Sequence, residues 1–520
     1  MANRDTGAGD EEGLLEYRPL LFVVLIISGC SMCYELIISA VSTYLLGNSV
    51  LQYSVTIGLY MAAMGLGAYL SKFVTNRLFR RFAQIELGVG LLGGTSSLLL
   101  FVSNLHLAGF RAVMYAEVIL IGVLVGAEIP ILTRIVEEDQ RHLRLTLSSI
   151  FSIDYIGGLI GSIAFPLLLL PQLGFFATSF LCGLVNAMAA SIVLWRYGRR
   201  IEGVRALRVM AVCLVASMAA GIVVSDNVAH MVEGGLYRDS VIYSEQTAYQ
   251  RIVLTRRDDD VRLFLDGNIQ FCSRDEYRYH EALVHVPMAL ARGHEHVLVL
   301  GGGDGLAARE ILKYPDVHDV TIVDIDPQMT RLCASNDVIR ALNGGSLDDD
   351  RVFVRNEDAK RFLQQSDTVY DVIIIDLPDP NSESLNQLYT SAFYRLVGNH
   401  LSDGGAFVTQ STSPYFAREA FWCINKTIAA EGFDVLPYHL QVPSFGEWGF
   451  NVASRRKLAV GADGVPNIRV GVETSYLTNE NVPALFEFGK DEASPSDVRT
   501  NTMNRPVLVE YYDKALVSWG

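Results

Sequence analysis

Cysteine is scarce and scattered in this sequence: 7 residues, four in the first half and three in the second, along 520 positions. Only Cys30 and Cys33 stand at a C-x-x-C spacing, and they do so inside an apolar segment, where packing between helices is the natural role. A disulfide framework is excluded on that count, and neither zinc nor any other metal is expected. Positive charge is also short. Lys and Arg total 42 against 57 Asp and Glu, for a formal net charge of −15. That balance argues against nonspecific nucleic-acid binding and suits small cationic ligands. Charge of either sign makes up only 19% of the chain against 50% hydrophobic residues, an average over two unlike halves. Up to about Val224 the chain is a series of long apolar stretches, and beyond that it reads as an acidic soluble protein. The length allows two or three domains.

Apolar segments near 18–40, 51–71, 84–102, 111–132, 148–170, 174–195 and 207–225 are each about long enough to cross a bilayer. The first is not read as a cleaved signal, because its apolar character continues past Cys30 to Ala40 and acidic rather than basic residues precede it. Basic residues collect in alternate loops: Lys72, Arg77, Arg80 and Arg81; Arg134, Arg141 and Arg144; and Arg196, Arg199, Arg200, Arg205 and Arg208. The positive-inside rule puts these loops and the N-terminus in the cytoplasm. Seven crossings would then leave the second half outside, so the short, Ala- and Ser-rich stretch Val209 to Val224 is expected to be re-entrant or interfacial. Six crossings and a cytoplasmic C-terminus follow. Glu35, Glu117, Glu128 and Asp154 sit within the apolar stretches, where ionised groups are costly and face a polar interior or a partner. They read either as a cation site or as hydrogen bonding between helices. Gly157 and Gly161, four apart, suit close helix packing.

From Asp239 the apolar period changes to two. Tyr249 to Leu254 and Arg262 to Leu265 read as strands, with Arg256 to Asp260 as their turn, and Asp275 opens a helix. The organising stretch runs from His296 to Pro327: a strand, Val297 to Leu300, then Gly301-Gly302-Gly303-Asp304-Gly305, a helical pattern, and a second strand, Val320 to Val323, ending in Asp324-Ile325-Asp326. This is the first half of a doubly wound α/β domain. Its glycines let backbone approach a ligand, and its acid, roughly 20 residues on, suits a ribose hydroxyl pair. Asp304 within the glycines is a poor neighbour for pyrophosphate or a carboxylate and a good one for an ammonium group. A third strand, Val352 to Val354, leads to Asp358, suited to an adenine amino group or to a helix N-cap. A fourth, Asp371 to Ile375, ends in Asp376-Leu377-Pro378-Asp379-Pro380. Two carboxylates at the end of a central strand can take a proton from an amine while holding a second ammonium.

Together these residues resemble the spermidine synthases, a family of polyamine aminopropyltransferases. The matching motifs are Tyr249-Gln250, the Leu-Asp-Gly-x-x-Gln run ending at Gln270, Asp275-Glu276-x-x-Tyr279-His280-Glu281, Gly301 to Gly305, Asp324, Asp358-Ala359 and Asp376-x-x-Asp379-Pro380. The apolar half resembles the multi-pass membrane region fused to some bacterial members. The resemblance implies an N-terminal tail (1–17), a multi-pass α-helical membrane domain (18–225), a small β-rich subdomain (236–290) and a Rossmann-like, methyltransferase-type α/β domain (291–520). It implies no resident cofactor, decarboxylated S-adenosylmethionine as co-substrate, and a diamine acceptor, putrescine, giving spermidine and methylthioadenosine. It further implies a homo-oligomer in the cell (inner) membrane with its synthase half in the cytoplasm. Carried over by position, Gln250, Gly301, Gly303, Asp304, Asp324 and Asp358 bind the donor. Asp376 is the general base, and Gln270, Tyr279, His280 and Asp379 line the acceptor pocket. Two places differ from the family pattern: Leu377 and Pro378 replace small hydroxyl residues between the acids, and Val442 to Trp448 lacks a tyrosine before its proline. Two other classes compete. A membrane polyamine transporter or sensor would need no base such as Asp376, and an S-adenosylmethionine-dependent methyltransferase is disfavoured by Asp304 and the Asp376–Asp379 pair.

Overall fold

The structure is a computed structural model of the chain, and it describes residues 18–46, 49–106, 109–137, 143–237, 239–461 and 465–519. The tail 1–17 and Arg141 of the second basic loop lie outside the described residues. By its internal contacts the chain divides into two units, residues 1–238 and 239–520.

The first unit is helical: α1 (Arg18–Leu46), α2 (Ser49–Leu70), α3 (Leu78–His106), α4 (Phe110–Glu137), α5 (Leu143–Ala164), α6 (Leu170–Arg196) and α7 (Val204–Leu236). Helix α1 packs on α5 and α6, α2 on α4, α3 on α4 and α6, and α7 on α6 and α3. Glycine sets the closest approaches. A Cβ at Gly157 or Gly161 would lie 2.3 Å from the carbonyl oxygens of Leu25 and Gly29, so α5 meets α1 through this pair, as their spacing suggests. The outer surface is apolar, with Leu159, Leu167, Val209 and Val223 exposed, while Glu86, Glu117, Glu128 and Asn186 are buried. A polar interior under an apolar exterior suits a lipid solvent and is compatible with a membrane domain.

Six apolar helical runs among the described residues are long enough to cross a bilayer, and one of them, Leu147–Arg196, is 50 residues long. Fifty residues of helix extend about 75 Å, more than twice a hydrocarbon core. Gly174, inside α6 as bounded above, interrupts that run with φ 68° and ψ −174°, so the run is two helices, one before Gly174 and one after it, and the crossing candidates among the described residues number seven. Val209 to Val224, expected to be re-entrant or interfacial, form no re-entrant break. These residues lie inside the uninterrupted α7, whose apolar run Val204–Ala229 contains an 18-residue stretch of mean hydropathy 2.3. Leu207, Ala211, Leu214 and Met218 recur at helical spacing and are buried, with Met218 filling the gap left by Gly94 and Gly183. The small residues that make this stretch look weakly apolar are what let it pack along the bundle.

The second unit has two sheets. Strands β1 (Ser240–Gln246), β2 (Arg251–Arg257), β3 (Asp260–Leu265) and β4 (Asn268–Cys272) form an antiparallel meander. Helix α8 (Glu276–Leu290) follows and buries Ala282, Leu283 and Val286 in the core of the larger sheet. That sheet contains β5 (His296–Gly301), β6 (Asp319–Val323), β7 (Val352–Arg355), β8 (Tyr370–Asp376), β9 (Leu401–Gln410), β10 (Asp434–Val442) and β11 (Gly446–Ser454) in the order β10-β11-β9-β8-β5-β6-β7. Strands β5 to β9 run parallel, and the β10–β11 hairpin closes one edge antiparallel. This is a Rossmann-like sheet. From β5 the chain winds outward to β6 and β7, then returns to β8 on the other side. The reversal opens a crevice at the C-terminal ends of β5 and β8, where such sheets bind ligands. Gly301 and Asp376 are paired across it.

Candidate active site

The glycine turn after β5 is shaped by what lies against it. Gly301, Gly302 and Gly305 have φ of 84°, 64° and 79°, the left-handed region that glycine occupies without strain. A Cβ at Gly301 would stand 2.0 Å from the carbonyl oxygen of Asp376, and one at Gly303 would stand 2.5 Å from Asp324 Oδ2. The turn therefore presses directly on the two acids that end β8 and β6. The Gly303 N–H donates to Asp324 Oδ2 at 3.1 Å and the Asp326 N–H to Asp324 Oδ1 at 2.8 Å. Burial raises the Asp324 carboxyl to about 6 despite these bonds.

Asp304 is buried, 8% exposed, and Oδ1 accepts from the Leu306 N–H at 2.9 Å. Burial also holds its carboxyl above the usual range. Asp376 accepts from the Tyr279 hydroxyl at 2.7 Å. It keeps part of its surface open yet lies deep in the crevice, so burial, and then the Asp304 carboxylate, raise it to about 6. His280 and Tyr279 pull the other way. Asp379 is raised to about 6 by burial while accepting from Gln410 Nε2 at 3.2 Å and the Tyr512 hydroxyl at 2.7 Å. Tyr389 and Gln410 fix the loop between the acids: the Tyr389 hydroxyl donates to the Pro378 carbonyl at 3.0 Å, and Gln410 Nε2 to the Leu377 carbonyl at 2.6 Å.

His280 supplies positive charge. Burial disfavours the imidazolium, but Glu276 outweighs it and the ring is raised to about 9. Its Nδ1 lies 2.9 Å from Glu276 Oε2, and Arg309 clamps the same carboxylate with two bonds of 2.7 and 3.0 Å. A cation is thus built in beside Asp304 and Asp376. The loop that departs from the family pattern is tied to α8, since Asp275 accepts from the Ser444 N–H at 2.6 Å and its hydroxyl at 2.8 Å. The Phe445 ring then stands edge-on to Tyr279 at 6.0 Å.

Seven of the expected residues therefore gather at the crevice: Gly301, Gly303, Asp304, Asp324, Asp376, Tyr279 and His280. Asp379 joins them through its loop. Asp358 is a helix N-cap, its Oδ1 accepting from the Arg361 N–H at 2.8 Å. Gln250 donates from its amide to Asp326 Oδ2 at 3.0 Å, two residues beyond Asp324, rather than lying against Asp304. The Gln270 amide is engaged by its own strand end, donating to the Asn268 carbonyl at 3.2 Å. Sequence reasoning missed Gln410, Tyr389, Tyr512, Glu276 and Arg309 as supports. Among the described residues one trio could hold an ion, His439, Glu447 and Glu492. It sits by the β10–β11 edge, with both histidine nitrogens already bonded, to the Glu447 carboxylate and the Glu487 carbonyl.

Residues 276–462 match the model of the spermine/spermidine synthase domain. Across nearly the whole chain, polyamine aminopropyltransferase 2 of Ralstonia nicotianae is 44% identical over 503 residues, covering 95% of this chain and 97% of its own length. The polyamine aminopropyltransferase of Leptospira interrogans is 42% identical over 495 residues, covering 95% and 98%. The crystal structure of spermidine synthase from Thermotoga maritima aligns with 48% of this chain and 84% of its own at 28% identity and a TM-score of 0.43. Full-length similarity at this level, helical half included, shows that the chain belongs to the polyamine aminopropyltransferases.

Proposed function

We propose that the crevice transfers the aminopropyl group of decarboxylated S-adenosylmethionine to a diamine, putrescine, giving spermidine and methylthioadenosine. The observation that carries this reading is Asp376: a carboxylate beside a glycine turn, oriented by Tyr279 and raised towards neutrality by burial. In the reaction the amine nitrogen attacks the donor carbon next to the sulfonium. A C–N bond forms, the C–S bond breaks with its electron pair passing to sulfur, and the nitrogen loses a proton. Asp376 is the acceptor for that proton. Asp304 attracts the donor's ammonium, Asp324 its ribose hydroxyls and Asp358, through the carboxylate oxygen not used in the cap, its adenine. Gly301 and Gly303 provide the close backbone approach. Asp379 holds the acceptor's distal ammonium, with Tyr279 and the His280–Glu276 pair forming the wall between the two. Gln250 and Gln270 are assigned to the pocket by family resemblance alone, as is a homo-oligomeric state. Asp376→Asn is expected to lower kcat by about a hundredfold to ten-thousandfold while donor binding persists. Near-normal turnover would overturn the assignment.

We also propose that this half faces the cytoplasm, where the donor is made. If all seven helices cross, that orientation puts the three basic loops outside, against the positive-inside rule. Reporters fused after Gly520 and into the loops at Arg77 and Arg200 decide between them. An external C-terminal reporter with internal loops would reverse the proposed sidedness.

A further inference from the structure

The helical unit buries a second set of acids that the transfer reaction does not use. Glu86 of α3 is 0% exposed, and its Oε2 accepts from Asn186 Nδ2 of α6 at 3.1 Å. The other oxygen, Oε1, has no hydrogen-bond partner, and neither has Asn186 Oδ1 on the same amide. Glu128 of α4 is 3% exposed, with Oε1 likewise unpartnered, and Glu86 and Asp154 of α5 lie within its Coulombic reach. Tyr60 of α2, bonded to Ser31 of α1 at 2.9 Å, lies within reach of Glu128 and Glu35. One polar centre thus draws a group from each of α1 to α6. Glu117 adds a second station: it is 3% exposed, both carboxylate oxygens are unpartnered, and it precedes Glu128 on α4 by three helical turns. That spacing puts the two glutamates on one face of α4, about 16 Å apart along its axis.

The unpartnered carboxylate and amide oxygens of this centre need donors. Leaving such groups buried and unpaired is costly, and no lysine or arginine among the described residues donates a hydrogen bond to any of them. The oxygens also do not converge as metal ligands do. The only trio of ligating groups among the described residues within 4.8 Å of one another lies in the other unit, at His439, Glu447 and Glu492. Buried acceptors distributed along a helix face match a ligand whose N–H donors and positive charges are themselves distributed. We propose that the helical unit binds an alkyl-polyammonium cation, with Glu86, Asn186 and Glu128 holding one ammonium head and Glu117 receiving another. An ammonium offers three donors and neutralises the centre as it fills it. The ligand class is that on which the family acts, and the site is separate from the crevice.

Equilibrium binding to the full chain in lipid nanodiscs tests this, with radiolabelled putrescine and radiolabelled spermidine as the two probes. Asp376→Asn and Asp379→Asn are introduced first to disable the crevice as an amine site. Saturable binding of at least one probe is expected to remain, and the probe preferred tells whether substrate or product occupies the site. Adding Glu86→Gln and Glu128→Gln should weaken that binding roughly tenfold or more. On an otherwise unaltered chain the same pair should leave aminopropyl transfer unchanged, which also reports correct folding. Should the pair not fold, Glu128→Gln alone must produce the weakening. Absence of saturable binding in the crevice-disabled chain, or binding indifferent to the glutamates, overturns the proposal, as does a response to sodium or protons alone. Failure of the transfer reading would appear instead as absence of product from the unaltered chain.

Discussion

In the sheet-based half, the four acids at the strand ends already have donors. Asp304 and Asp324 take backbone N–H groups, Asp376 takes the Tyr279 hydroxyl, and Asp379 takes Gln410 and Tyr512. In the helical half, Glu117 has none, and Glu86 and Glu128 each leave an oxygen without one. Burial acts on both sets, but only the first is oriented before any ligand arrives. Catalysis needs its groups preorganised, because reorganising them during the reaction raises the barrier. A site that only binds a cation can leave its acceptors for the ligand to satisfy. The contrast is the one expected between the proposed reaction centre and the proposed binding centre.

The first way to sharpen the contrast is pH. Asp324, Asp376 and Asp379 are each raised to about 6, and in the proposed reaction each acts as a carboxylate, so protonation on lowering the pH through 6 is expected to remove activity. With three such groups, kcat/KM should fall faster than tenfold per pH unit, reaching roughly a thousandfold loss by pH 5. A limb of one proton would mean that a single acid governs the crevice. Asp304→Asn comes next. It removes a charge-assisted contact worth roughly 1.5–3 kcal/mol, so the decarboxylated donor should bind tenfold or more weakly and its advantage over S-adenosylmethionine should narrow. Unchanged selectivity, measured by competition, would move discrimination elsewhere. The smallest effect is expected of Tyr512→Phe. Asp379 keeps Gln410 but loses one donor, so the acceptor KM should shift several-fold at nearly constant kcat. An equal fall in kcat would tie Tyr512 to the chemistry.

Much of the crevice was legible because its chemistry sits where the chain punctuates itself. Gly301 to Gly305, Asp324 and Asp376 end strands, and a strand end in a doubly wound sheet has a defined place. The supports were not legible, because they come from distant parts of the chain. Tyr512 reaches Asp379 across 133 positions and Arg309 reaches Glu276 across 33, and no local pattern marks either pairing. Gln250 and Gln270 carry motif positions, but their amides are engaged by Asp326 and Asn268. In the helical half the window near 84–102 left Glu86 at a boundary. The helix begins at Leu78, which places Glu86 two turns inside. Packing on α6 and α3, invisible in a hydropathy profile, makes α7 a full-length helix.

The most direct measurement of the central claim is product analysis by mass. Purified full-length protein is incubated with decarboxylated S-adenosylmethionine and, separately, S-adenosylmethionine, each with a panel of diamines and polyamines. The predicted result is an amine enlarged by one aminopropyl group, formed with an equal amount of methylthioadenosine and only from the decarboxylated donor. A methylated amine formed from S-adenosylmethionine, or saturable binding of both partners without any product, would contradict it.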